Sequence, residues 1–422
     1  MEGLVEKLEI YNSMYLNGNI LISGSKNASL PIICACLLTD DTVELTNVPK
    51  LKDIETLLLL LNGMGVKSYT DGDTLYINAS TLSNCLASYD SVKTMRASIL
   101  VLGPLLSKYS KADVSLPGGC AIGDRPVDQH IKGLVKMGAR ISIEQGYIRA
   151  DVDRLKGADI TMDVITVTGT ENLLMAAVLA DGESILRNCA IEPEVTDLAN
   201  FLVNMGAQIR GIGTNTLIID GVSKLRGTKY NIMPDRIEAG TYAVTSVATC
   251  GDILLSNLRV EHMNVIVDKL IEYGADITVG NGWMRVKGKQ TRFPVNIKTN
   301  PYPNFPTDMQ AQFMVLNCLT DNSISIIEET IFENRFMHVP ELCRMGAKIK
   351  ISGNNAIVTG VRELQGTSVT ATDLRASASL VIAGLVAYGK TTINSLHHLD
   401  RGYEQLVQKL ANVGARVCRV KE

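Results

Sequence analysis

Residues 194–221 read EVTDLANFLVNMGAQIRGIGTNTLIIDG: an amphipathic run stops at Gly206 and passes at once into an alternating strand that turns back through Gly211-Ile212-Gly213. Five other stretches carry the same phrase as NMGAQIR. They are NGMGVKS, KMGARIS, EYGADIT, RMGAKIK and NVGARVC, with glycines at Gly65, Gly138, Gly274, Gly346 and Gly414 beside Gly206, so the intervals are 73, 68, 68, 72 and 68 residues. A helix that ends on a left-handed residue needs one without a Cβ, so these glycines are architectural. One unit of about 70 residues is used six times.

Working outward from Gly206, ADITMDV alternates as a strand, TENLLMAAVLA has helical periodicity, ESILRNC is a short strand and EVTDLANFLVNMGA is a second helix. QIRGIGTNTLIIDG closes the unit as a hairpin, which predicts the order β-α-β-α-β-β. The fourth unit reads the same way, with YNIMPD as its first strand and DITVGNGWMRVKG as its hairpin. The sixth reaches the C-terminus after one hairpin strand, RVCRVKE, and the alternating segment KLEIY near the N-terminus is expected to supply the other. A chain of 422 residues exceeds what a single core supports, so the units are expected to divide three and three. The expected domains are 25–233 and 1–24 with 234–422, joined near residues 20–25 and near Pro234-Asp235.

A formal charge of −3 gives no basic field for nucleic acid, though small anion pockets remain compatible with it. Nine cysteines without CxxC pairs fit a reducing compartment, and argue against a disulfide frame or a structural zinc. MEGLVEKLEIYN resembles neither a signal peptide nor an anchor, and no stretch of about 20 apolar residues is present, so the expectation is a cytoplasmic protein without a membrane partner. With 46% hydrophobic but only 5% aromatic residues, the core is one of Ile, Leu, Val and Ala, as in helices packed on sheets.

Function is to be sought where the units differ. GSKNASLP puts Lys26 and Asn27 at a helix start, VKTMRAS puts Arg96 there and TDLRASAS puts Arg375 there, where free N–H groups already favour anions. A single such cation is most often a solvated surface charge, but its recurrence at equivalent points of several units points to anion binding. LPGGCAIGDRPVDQHI surrounds Cys120 with glycine and proline and places Arg125 five residues on, conditions that lower a thiol's pKa and suit it to acid, base or nucleophilic work. The other eight cysteines read as small core residues. In IKTNPYPNFPTDMQAQF three prolines force an extended approach to a helix start at Thr307 and Asp308, a rigid lead-in that suits a fixed carboxylate. ETIFENRFMHVPEL and HHLDRGYEQL add Arg335 and Arg401, while His397 and His398 read as surface or capping residues with no metal role.

Together, PGGCAIGDRPVD, TVTGTEN, PDRIEAGT, YPNFPTDMQAQF, ETIFENRFMHVPEL and TDLRASASL closely resemble the UDP-N-acetylglucosamine enolpyruvyl transferases over essentially the whole chain. The resemblance implies an α/β fold of two inside-out barrel-like domains, three units each, with helices inside, sheets outside and substrates between. It implies transfer of the enolpyruvyl group of phosphoenolpyruvate to the 3′-hydroxyl of UDP-N-acetylglucosamine, with release of phosphate, as the first committed step of peptidoglycan synthesis. No metal or organic cofactor is implied. Lys26, Asn27, Arg125, Arg375 and Arg401 would bind phosphoenolpyruvate, Cys120 would protonate its methylene, and Asp308 would face the sugar hydroxyl as base. The nucleotide sugar would be held by Arg96, by Arg125, Pro126, Val127, Asp128 and Gln129, by Thr166 and Val167, and by the backbone near Ile331, with Arg335 among the closing cations. Gln129 stands where the family has Leu, and Val164 where some members have Lys, which bears on affinity more than on reaction type. The shikimate 3-phosphate enolpyruvyl transferases share the six-unit fold but lack the cysteine loop, and a non-catalytic paralogue would need no acid and base.

Overall fold

The computed structural model describes residues 6–89, 95–116 and 127–421, the side chain of Arg96 apart, so Cys120, Arg125 and Pro126 lie outside the described residues. These residues divide into two compact units, one made of 24–233 and the other of 6–23 with 234–421. All six repeat glycines sit at positive φ, from 93° at Gly346 to 116° at Gly274. A Cβ is disfavoured at every one of them, which is why the repeat can be read from glycine alone.

Each unit holds three four-stranded sheets of one plan. In the third repeat, Asp159–Thr161 runs parallel to Glu183–Arg187, which pairs antiparallel with Thr216–Asp220, which in turn pairs with Gln208–Arg210. Along Thr216–Asp220 burial alternates, with Leu217 and Ile219 turned to the core, as expected of a sheet with one wet face. Beneath the sheets lie helices buried over most of their surface. In residues 24–233 these are Lys26–Ala35, Leu102–Tyr109 and Val167–Ala177; in the other unit they are Arg236–Ala248, Gln310–Cys318 and Leu374–Val386. All thirteen residues of Arg236–Ala248 are buried, the behaviour of a helix surrounded by protein. Helices inside and sheets outside is the α/β arrangement expected. No helix among the described residues is long and apolar enough to cross a membrane.

The sixth sheet is closed by the N-terminus. Glu6–Tyr11 lies between Lys390–Asn394 and Arg416–Lys421, antiparallel to both, in the place the missing hairpin strand would occupy. The fourth repeat needs a correction. Lys229–Asn231, from the YNIMPD segment, does not open that repeat's sheet but runs parallel to Val43–Thr46 in the first. Its expected place beside Asp252–Ser256 is taken by Asn17–Leu21. Both strands precede a crossing of the chain from one unit to the other, so each remains with the unit it is leaving. Backbone bonds brace both crossings: Ser25 donates to Met233 at 2.7 Å and Asp235 to Ser23 at 2.9 Å. Gly24 is required there, since a Cβ would stand 1.6 Å from the carbonyl oxygen of Asn47.

Candidate active site

In residues 24–233 the candidate residues gather at helix starts. Ser25 caps the helix Lys26–Ala35 by accepting from Ala28 N at 3.3 Å, and Lys26, its first residue, is buried with Nζ 2.7 Å from Asp53 Oδ2. Asp53, also buried, lies in the first turn of Lys52–Gly63. The sequence reading missed it because an aspartate there is ordinary dipole pairing. Asn27 is half-buried beside Lys26. Thr166 caps Val167–Ala177 by accepting from Gly169 N at 3.2 Å, and Thr166 and Val167 are both half-buried. Arg96 opens the short helical segment Arg96–Val101.

Val127 and Asp128 begin the helix that runs to Lys136, and Gln129 is buried there. Its Oε1 accepts from Asp163 N at 2.9 Å, while its Nε2 donates to Asp163 Oδ2 at 3.1 Å and to Asp128 Oδ2 at 2.9 Å. Lys132 also holds Asp163 Oδ2. The amide thus ties the turn before Thr166 to the start of the helix 128–136, a use for glutamine that leucine could not serve. Val164 is exposed on that turn.

Glu171 on Val167–Ala177 is 2% exposed, and its Oε1 has no hydrogen-bond partner among the described residues. Burial pushes its carboxyl well above the usual range, and Glu194 and Glu192 push it further. A raised acid contributes its full stability below the ordinary value of 4.5 and loses it as pH rises toward the folded value. Glu171→Gln should therefore raise the thermal midpoint by about 2–4 °C at pH 8 and leave it unchanged near pH 4. Differential scanning calorimetry across that range checks this, and an equal shift at both ends would contradict it.

The other unit brings three predicted residues into direct contact. Asp308, in the turn Thr307–Met309 before Gln310–Cys318, accepts from Arg335 Nη2 at 2.7 Å on Oδ1 and from Arg375 Nη2 at 2.9 Å on Oδ2. Arg335 and Arg375 are 6% and 4% exposed, so the carboxylate stands between two buried guanidinium groups. Burial alone would push its carboxyl up; Arg375 and then Arg335 outweigh that and hold it well below 3.8. Arg375 is presented by a helix that Asp373 caps through Arg375 N and Ala376 N. Its Nη1 donates to the buried Tyr403 hydroxyl at 3.2 Å, which is 3.0 Å from Thr241 Oγ1. Arg401 ends the segment Leu396–Arg401, two residues before Tyr403. Ile331 N donates to Glu329 Oε1 at 2.9 Å, so its N–H is already taken. Glu329, Thr241 and Tyr403 escaped the sequence reading; ordinary strand-end and helix residues carry no local signal of a long-range contact.

Four of the eight described cysteines are buried, as expected: Cys34, Cys36, Cys189 and Cys318. Cys85 and Cys250 are half-buried, and Cys343 and Cys418 are exposed, contrary to the reading of all eight as core residues. Cys343 lies on the short outer helix Val339–Arg344 and Cys418 on the outward strand Arg416–Lys421, surfaces that do not demand an apolar side chain. Among the described residues no group of three or more His, Cys, Asp or Glu is arranged to hold a metal.

Comparison with known proteins bears on the family and the fold. The family model described as EPSP synthase (3-phosphoshikimate 1-carboxyvinyltransferase) matches residues 10–410. The crystal structure of the enolpyruvyl transferase NikO from Streptomyces tendae superposes with a TM-score of 0.89 at 24% identity, over 99% of this chain and 100% of that one. EPSP synthase from Acinetobacter baumannii, in a 2.37 Å structure, superposes with a TM-score of 0.76 at 17% identity, over 98% of this chain and 100% of that one. At these identities the structural matches speak to the fold.

Proposed function

The chain belongs to the EPSP synthase family, whose reaction is enolpyruvyl transfer from phosphoenolpyruvate, and we propose that its acceptor is the 3′-hydroxyl of UDP-N-acetylglucosamine. The observation that carries an active enzyme is the pairing of Asp308 with Arg335 and Arg375, since it sets a carboxylate that can take a proton beside two buried cations that can take an anionic donor. The acceptor is supported by the resemblance of the motifs around Cys120, Arg125, Asp128 and Thr166 to those of the UDP-N-acetylglucosamine enzymes, the cysteine loop being the part that the shikimate 3-phosphate enzymes lack.

In this reading Cys120 protonates C3 of phosphoenolpyruvate, leaving an oxocarbenium-like C2. The sugar hydroxyl attacks C2 as Asp308 takes its proton, and the tetrahedral adduct then loses a methyl proton and phosphate. Lys26, Asn27, Arg125, Arg375 and Arg401 bind the donor, because a small polyanion needs partners that stay charged. Asp308 held by two arginines is a weak base. An anionic donor that draws Arg375 to itself removes one of the two cations depressing it, so the base strengthens when the donor is bound. The nucleotide sugar meets Arg96, residues 125–129, Thr166, Val167 and the backbone near Ile331. The test is phosphate release that needs both phosphoenolpyruvate and UDP-N-acetylglucosamine; release with shikimate 3-phosphate as acceptor instead would overturn the proposal.

A further inference from the structure

Glu329 follows the strand Ile324–Glu328 and is 2% exposed, yet it gathers four donors. Its Oε1 accepts from Thr299 Oγ1 at 2.9 Å, Ile331 N at 2.9 Å and Phe332 N at 3.2 Å; its Oε2 accepts from Thr307 Oγ1 at 2.8 Å. Thr307 Oγ1 in turn accepts from Arg335 Nη1 at 3.1 Å. A guanidinium only donates, so the single hydroxyl hydrogen of Thr307 must point at Glu329. The relay therefore runs one way, from Arg335 to Thr307 to Glu329. Arg335 is gripped on its face as well, with its guanidinium carbon 5.1 Å from the ring centroid of Phe332, whose N–H Glu329 holds. Both grips trace to one carboxylate, and the remaining Nη2 of Arg335 is left aimed at Asp308 Oδ1 at 2.7 Å.

We propose that Glu329 is a positioning residue for the transfer: through Thr307 and Phe332 it fixes Arg335 against Asp308, and through Ile331 N it sets the backbone beside the acceptor. This rests on the reading that places Asp308 and Ile331 at the acceptor. Glu329→Gln keeps the shape and removes the relay. With its oxygen kept for Ile331 and Phe332, the new amide N–H₂ faces Thr307, whose hydroxyl must accept from it and turn its own hydrogen away from residue 329, so Arg335 is left with an acceptor that no carboxylate polarises and that a second donor shares.

The test uses the full chain in four forms: wild type, Glu329→Gln, Thr307→Val and Thr307→Ser. In ligand-free protein, ¹⁵N spectra of the arginine Nη groups, with Arg335 assigned by its loss in Arg335→Lys, should show a rotationally locked guanidinium in wild type and Thr307→Ser and a freely rotating one in the other two. In turnover, Glu329→Gln and Thr307→Val should lose ~10-fold or more in kcat, with KM for UDP-N-acetylglucosamine within threefold and Thr307→Ser near wild type. The double variant should be no worse than the poorer single one. An Arg335 still locked in Glu329→Gln and Thr307→Val, or additive losses in the double variant, would overturn the proposal. A wild type inactive with UDP-N-acetylglucosamine would instead discard that acceptor, and the Arg335 spectra, which need no substrate, would still decide the relay.

Discussion

Replacing Asp308 with alanine is expected to lower turnover by at least ~10²-fold while leaving nucleotide-sugar affinity within a few-fold, the usual size of a general-base contribution. Rigid presentation suits that role: the carboxylate follows the proline-rich lead-in of residues 300–306 and accepts from guanidinium groups on both oxygens. The same pairing warns that alanine leaves Arg335 and Arg375 buried without their shared counter-charge, a loss of about 3–5 kcal/mol in stability. Asp308→Asn, which keeps the volume, should therefore be assayed beside it at a temperature where calorimetry finds both variants folded. The depressed carboxyl contributes stability that is present above pH 3.8 and lost as pH falls through its folded value, so free Asp308 stays ionised throughout the neutral range. A turnover loss under tenfold in both variants would make Asp308 a counter-ion for two arginines and nothing more.

The second large effect is complete inactivation through Cys120. An epoxide phosphonate such as fosfomycin should alkylate this thiol and abolish turnover, because one cysteine amid glycines lies five residues from Arg125. The structure sharpens the test by supplying controls: Cys343 and Cys418 are exposed and open to general thiol reagents, whereas burial pushes the thiols of Cys318 and Cys36 up, that of Cys318 to about 12. Peptide mass spectrometry should find a single adduct on the 117–125 segment, formed faster when UDP-N-acetylglucosamine is present. Adducts at Cys343 or Cys418 in equal yield would mean ordinary thiol exposure and no anion-directed chemistry.

Much of the architecture was legible because one physical constraint recurs. Six helices end in a left-handed residue, each needs glycine, and so Gly65, Gly138, Gly206, Gly274, Gly346 and Gly414 count the repeats. The alternation in KLEIY likewise marked a strand, and the incomplete hairpin of the last repeat told where it belongs. Alternation does not say which sheet a strand joins, and there the reading failed: nothing local in YNIMPD distinguishes pairing with Val43–Thr46 from pairing with Asp252–Ser256. At the candidate site, residues with special local chemistry stood out, such as Asp308 behind its prolines and Arg375 at its helix start. Glu329, Tyr403, Thr241 and Asp53 did not, since each acts across the chain on groups that sequence leaves far apart. Gln129 could be seen as unusual, but its bond to Asp163, 34 residues on, could not.

The most direct measurement of the central claim is phosphate release from phosphoenolpyruvate, run with UDP-N-acetylglucosamine, with shikimate 3-phosphate, and with each component omitted, the organic product being weighed by mass spectrometry. Release that requires both phosphoenolpyruvate and UDP-N-acetylglucosamine, with a product carrying one enolpyruvyl group on the sugar, is the predicted result. Release with shikimate 3-phosphate and none with the nucleotide sugar would contradict the account, since the residues assigned to the acceptor would then serve a different one.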